Sequence, residues 1–177
     1  IRKSAYTILA EYLACGIDPE KSTIYIQSDV KEVLELYLYL NMSAYLGELE
    51  RVTSFKEKAR KQPDNVNAGL LTYPTLMAAD ILIMNADLVP VGKDQKQHLE
   101  VTRDLAQKFN NAYGEIFKLP DAYIPDSVAT ILGTGGRKMA RSYNNTIGLF
   151  GDAEAIKKKV VGVVTDSTPM EEPKEPE

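Results

Sequence analysis

Sulfur and imidazole are scarce in this chain: 177 residues carry one cysteine, Cys15, and one histidine, His98. A lone cysteine cannot close an internal disulfide, and without a CxxC pair or a Cys/His cluster no metal site is expected. A reducing, cytoplasmic setting fits best. Net positive charge is also missing, since 21 Lys and Arg against 25 Asp and Glu leave −4. The whole molecule therefore exerts no general attraction on nucleic acid, and any RNA contact must come from a local basic patch. No apolar run approaches the roughly 20 residues that span a bilayer, and residues 1–20 lack a signal-peptide pattern. A soluble protein without membrane contact is expected. No G-x-G-x-x-G follows any strand-like run, which argues against a dehydrogenase-type dinucleotide site. The chain opens at Ile1 with helical periodicity already running and no initiator Met, so a fragment of a longer protein is expected.

What is present is one sizeable core, with 44% hydrophobic residues. Ala5, Ile8, Leu9, Tyr12 and Leu13 recur at helical spacing up to Gly16, predicting an amphipathic helix that packs on a sheet. Thr23 to Gln27 (TIYIQ) reads as a strand, with Ser28 and Asp29 as caps for the next helix. That helix, Val33 to Leu40, is apolar enough to be covered on more than one side, by a sheet and by a partner subunit. Gly47 to Lys61 forms a basic helix whose charges either face solvent or contact phosphate. Leu70 to Leu76 leads into the helix LMAADILIM, which Pro74 can open at its first turn.

Leu88 to Val91 is a short β-branched run closed by Gly92, and Leu99, Thr102, Ala106 and Phe109 follow at helical spacing. The unit is strand, glycine turn, helix. At such a junction a helix N-terminus offers unpaired N–H groups beyond the carboxyl end of a strand, which suits a ligand. Tyr113 to Pro125 reads as proline-punctuated loops with a turn at Gly114. Ile131 ends a short apolar run, and Gly133, Gly135 and Gly136 make the next loop permissive and able to move. Glu171 to Glu177 (EEPKEPE) is acidic and proline-rich, and is expected to be disordered or an interrupted connection.

Asp80 is the oddest residue, because a carboxylate within LMAADILIM is costly unless something hydrogen-bonds to it. Tyr73, Met77 and Asp80 fall at i, i+4 and i+7, on one helix face. That face is either a core with its Asp bonded to backbone or a pocket wall. His98 either caps or packs on its helix, with no carboxylate or nucleophile placed beside it by the pattern.

Several strings taken together resemble tryptophanyl-tRNA synthetase, a class I aminoacyl-tRNA synthetase. VPVGKDQKQHLE resembles the family's G-x-D-Q-x-x-H segment, and GELERVTSFKEK its GELERMTQFK-type segment. YPTLMAAD matches a YPxLMAAD segment, while Lys138-Met139-Ala140-Arg141-Ser142 resembles the KMSKS signature with Ala third and Arg fourth. NNTI and KKKVVGVVTDS resemble the family as well. The resemblance covers about residues 6 to 167, leaving 168–177 as a tail.

The resemblance implies an α/β fold, the Rossmann-like doubly wound parallel sheet of the class I catalytic domain. It implies that Asp80 accepts the indole N–H of L-tryptophan, that Met77 packs on the ring, that Tyr73 and Gln95 approach the amino group, and that Val89 and Val91 form apolar walls. Gly92, Lys93 and Asp94 are implied in binding ATP, with Asp94 near the adenosine moiety; Lys93 stands where Glu is frequent, which a contact made through the backbone tolerates. Ile131 and the loop of Lys138, Met139, Ala140, Arg141 and Ser142 are implied in binding ATP, with Lys138 and Arg141 as the catalytic cations that neutralise charge on the leaving pyrophosphate. Magnesium would arrive with ATP and no protein-bound metal is implied. The activity implied is tryptophan activation and transfer to tRNA(Trp) by a homodimer, with a HIGH-type motif upstream and an anticodon-reading domain downstream. The rival of a different class is a non-catalytic tryptophan- or nucleotide-binding relative.

Overall fold

A computed structural model describes residues 2–125, 131–140 and 143–164. The chain divides into two compact units, Ile1–Ser127 and Val128–Glu177.

In the first unit, helix α1 (Arg2–Ala14) ends where Gly16 takes φ +96°, a backbone conformation that costs glycine little. Contrary to the amphipathic expectation, α1 buries none of its residues. The TIYIQ segment is also not a strand: Thr23–Ile26 has no ladder partner among the described residues, and Gln27–Asp29 closes into a 3-10 turn. High β-propensity produces a strand only where a neighbour supplies the backbone hydrogen bonds. Ser28 and Asp29 do not cap helix α2 (Glu32–Ser43), whose N-cap is Lys31.

Helices α3 (Leu46–Leu49) and α4 (Thr53–Lys61) follow, then α5 (Ala68–Leu82). Pro74 lies inside α5 rather than at its start. The helix begins earlier because Asn67 caps it, its Oδ1 accepting the Leu70 N–H at 3.0 Å. Having no N–H, Pro74 cannot bond the Leu70 carbonyl one turn back.

Strand β1 (Leu88–Pro90) leads through a 3-10 turn at Lys93–Gln95 into α6 (Lys96–Tyr113), which ends where Gly114 takes φ +97°. After α6 the chain forms β2 (Asp121–Tyr123), which pairs parallel with β1, Val89 opposite Ala122. Both strands are short and largely exposed, so the buried strand expected at Leu88–Val91 is not observed. β2 falls in a stretch that reads as loops. Its position is set from outside: Arg103 Nη1 of α6 donates to the Pro120 carbonyl and to Asp121 Oδ1, both at 2.7 Å, and the Asp121 N–H donates to the Asp87 carbonyl at 2.9 Å.

The core lies among α2, α5 and α6, where Val33, Leu40, Ala78, Ala79, Leu82, Leu105 and Ala106 cluster. Ala78 and Ala79 are fully buried and carry only a Cβ, which lets the flanking helices approach α5 closely. On the other side of α2, Leu34, Leu38, Tyr39 and Met42 are exposed, Met42 to 73%.

Among its described residues the second unit comprises a tight loop and a helix. Leu132 and Lys138 form an antiparallel bridge, and the Met139 N–H donates to the Ile131 carbonyl at 2.7 Å. Helix α7 (Ala153–Val161) is capped by Asp152, whose Oδ2 accepts the Ala155 N–H at 2.9 Å. Beyond it the Val164 N–H returns to the Thr134 carbonyl at 3.0 Å. The acidic tail lies outside the described residues, as do the last three residues of KKKVVGVVTDS.

Candidate functional site

Helix α5 carries three of the six residues expected around tryptophan, and its 3.6-residue period turns Tyr73, Met77 and Asp80 to one half-buried face. The partner that Asp80 requires is Gln27, 53 positions earlier. Gln27 Nε2 donates to both carboxylate oxygens, at 2.8 and 2.7 Å. Each carboxylate oxygen keeps accepting capacity beyond that bond, so Asp80 can take a further donor. Sequence reading places Gln27 at the end of a strand and assigns it no role; the pairing spans too much chain for any local pattern to reveal.

Tyr73 sits in a second network. Its hydroxyl is hydrogen-bonded to Ser54 Oγ of α4 and lies 3.2 Å from His98 Nε2 of α6, and Ser54 Oγ lies 3.4 Å from that same nitrogen. The Tyr73 and His98 rings meet edge to face, centroids 5.3 Å apart at 71°. Lys58 of α4 places its ammonium 4.3 Å from the Tyr73 ring centroid, so one charge of the basic helix packs on an aromatic face instead of only meeting water.

His98 is 4% exposed, and its Nδ1 has no hydrogen-bond partner among the described residues. Burial pushes the imidazole below its ordinary value of 6.5; the Lys58 ammonium adds to the shift and Asp94 opposes it. A neutral ring can accept at Nε2 from the Tyr73 hydroxyl, which a protonated ring cannot do. His98 packs on its helix as one reading has it. The hydroxyls of Ser54 and Tyr73 beside it are what sequence pattern does not reveal.

At the strand–helix junction, Val89 and Val91 alternate to the same side of the extended segment, both half-buried. Gly92 makes room for the turn: a Cβ there would stand 2.8 Å from Asp94 Oδ1. Gln95 Nε2 donates to Asp94 Oδ2 at 3.1 Å, so the amide expected to approach an amino group is here engaged with its neighbour. Gln95 and Tyr73 therefore face different partners. Lys93 is exposed.

In the second unit the structure brings together Ile131, Lys138, Met139 and Ala140. Ile131 and Met139 are joined by their backbone bond, Lys138 bridges to Leu132, and Ala140 donates its N–H to Asn145 Oδ1 at 2.9 Å. Arg141 and Ser142 lie outside the described residues.

The family described as tRNA synthetases class I (W and Y) matches residues 1–175. A tryptophan–tRNA ligase of Porphyromonas gingivalis is 63% identical over 172 residues, 96% of this chain and 53% of that protein. The ligase of Fusobacterium nucleatum is 54% identical over 178 residues, all of this chain and 54% of the relative. Among solved structures, the tryptophanyl-tRNA synthetase of Campylobacter jejuni complexed with ADP and tryptophan has a TM-score of 0.80 at 51% identity, covering 93% of this chain and 51% of that one. Tyrosyl-tRNA synthetase of Aeropyrum pernix, with a TM-score of 0.72 at 21% identity over 97% of this chain and 49% of its own, shares the fold. The chain thus spans about half the length of the curated relatives it matches. Its α/β architecture is the Rossmann-like one of the class I catalytic domain, and the chain belongs to the class I tRNA synthetases of the tryptophan and tyrosine family.

Proposed function

We propose that the protein carrying this chain activates L-tryptophan with ATP, forming tryptophanyl-adenylate and pyrophosphate, and then transfers the tryptophanyl group to tRNA(Trp). The observation that carries this reading is the 63% identity to a tryptophan–tRNA ligase. The solved relative that is 51% identical and holds ADP and tryptophan supports it further. In the first step a carboxylate oxygen of tryptophan displaces pyrophosphate from the α-phosphorus. In the second a ribose hydroxyl at the tRNA end attacks the acyl carbon and releases AMP. Neither displacement needs a protein nucleophile, so this chain's residues act by positioning and by placing charge.

In this reading Asp80 takes the indole N–H, with Gln27 holding its carboxylate, while Met77, Val89 and Val91 shape the apolar walls. Tyr73 and Gln95 receive the amino group once their hydroxyl and amide leave their present partners. Gly92, Lys93 and Asp94 hold the adenosine side. Lys138 and Arg141, with Ile131, Met139, Ala140 and Ser142 around them, neutralise charge developing on pyrophosphate, an interaction of use mainly in the transition state. Magnesium accompanies ATP as part of the substrate. The exposed apolar face of α2 supports assembly with a second copy, since such a stripe on a soluble helix marks a contact surface. A cytoplasmic setting follows from tRNA charging, and among the described residues no helix is long and apolar enough to cross a membrane.

The test is ATP–pyrophosphate exchange by the full-length protein, with each amino acid in turn. Exchange dependent on tryptophan, followed by charging of tRNA(Trp), is the expected result. Exchange driven by tyrosine instead, or by neither, overturns it.

A further inference from the structure

Among the described residues of the second unit, Asn145 has the most elaborate environment, and it has no role in any reading above. It is 7% exposed, although it is polar and lies in a small unit. Its Oδ1 accepts the Ala140 N–H at 2.9 Å, and its Nδ2 donates to the Lys138 carbonyl at 3.1 Å and to the Arg137 carbonyl at 3.3 Å. Its own backbone carbonyl accepts the Thr134 N–H at 3.1 Å. One residue therefore ties the loop at 134, 137, 138 and 140.

Gly133 shows how closely this arrangement is fitted. A Cβ on residue 133 would overlap the side-chain nitrogen and the backbone carbonyl of Asn145. The Gly133 N–H donates to the Arg137 carbonyl at 2.8 Å, so that carbonyl is held from two sides. Gly136 turns the loop at φ +68°. Between these anchors the peptide groups on both sides of Lys138 and Met139 are engaged, and Lys138 is an exposed residue.

We propose that Asn145 is a positioning residue for Lys138: its buried amide fixes the backbone from which the lysine side chain projects, so that the ammonium meets the phosphates of ATP in one geometry. This rests on the reading of Lys138 as the phosphate cation. Asn suits the task because one planar amide supplies an acceptor on one edge and a two-hydrogen donor on the other, matching an N–H and two carbonyls that diverge around it. Aspartate keeps the acceptor for Ala140 but turns an oxygen toward two carbonyls. Catalytic contacts are sensitive to small displacements, because a cation moved by about 1 Å from the developing charge loses much of its effect.

The test uses Asn145→Asp and Gly133→Ala in the full-length protein; the second variant displaces the amide without removing it. Pyrophosphate-exchange kcat is expected to fall at least tenfold in both, with the tryptophan KM within twofold of the parent. Lys138→Ala is measured in parallel, together with the double variant Lys138→Ala/Asn145→Asp. If Asn145 acts through Lys138, the second substitution costs nothing further, within twofold, once the lysine is gone. A full kcat for Lys138→Ala overturns the underlying reading of the loop. A loss in Lys138→Ala beside an unchanged kcat in both Asn145→Asp and Gly133→Ala overturns the assignment of Asn145 alone. Additive losses in the double variant, or a tryptophan KM that rises together with the fall in kcat, also overturn it, since they would make Asn145 a general support of the unit.

Discussion

Replacing Asp80 by alanine separates recognition from folding at the most unusual residue of α5. In the structure both carboxylate oxygens accept from the single amide nitrogen of Gln27, at 2.8 and 2.7 Å, and the carboxylate is half-buried. Gln27 itself is exposed, so in Asp80→Ala its amide returns to water, and the stability lost is on the order of 1 kcal/mol. In the proposed function the bond to the indole N–H is different in kind, because it is charge-assisted and shielded from water by the bound ring. Its loss costs about 1.5 to 3 kcal/mol, which is roughly a 10-fold to 150-fold rise in the tryptophan KM. The KM for ATP should hardly change. Tryptophan-dependent pyrophosphate exchange measures the first effect and thermal melting the second. Tyrosine also carries a donor, so Asp80 alone does not reject it, and the shape set by Met77, Val89 and Val91 must contribute. A tryptophan KM and kcat unchanged in Asp80→Ala would refute the reasoning and leave the carboxylate as a partner for Gln27 only.

Three further outcomes are expected. Because the folded chain holds the His98 imidazole below 6.5, by burial first and Lys58 second, the unfolded chain takes up a proton that the folded chain still refuses. Stability contributed by the neutral ring is thus present above about pH 6.5 and lost as pH falls through the window below it; His98→Gln should flatten the melting profile there, and an unchanged slope would assign the pH dependence to other groups. Lys138→Ala should lower kcat for adenylate formation strongly while leaving the tryptophan KM nearly constant, and Arg141→Lys, which restores a compact ammonium, should be neutral or faster by the same exchange assay. If two copies pair through α2 as proposed, Leu38→Glu, which puts a charge in the middle of its exposed apolar face, should halve the mass seen by sedimentation velocity; an unchanged mass would overturn pairing through α2.

Local chemistry carried a good part of this molecule. The helical spacing at residues 5–13 and from Leu99 onward anticipates α1 and α6, and Gly16 and Gly114 end them with positive φ. These outcomes depend on side chains within a turn or two of each other. The family strings are likewise contiguous, which is why YPTLMAAD and KMARS are enough to resemble a class I synthetase without any contact across the chain.

Other features required contacts across the chain. TIYIQ has every local qualification for a strand and has no ladder partner among the described residues, whereas Asp121–Tyr123, set between prolines, becomes a strand because β1 and Arg103 fix it. Pro74 was free to start a helix until Asn67 capped one seven residues earlier. The bonds of Gln27 to Asp80, of Ser54 to Tyr73 and of Tyr73 to His98 join residues 53, 19 and 25 positions apart. Sequence alone settles which side chains share a turn or a helix face, because the backbone period is local. Which acceptor a buried donor meets is decided only when distant segments pack, since hydrogen bonding is satisfied in space and not along the chain.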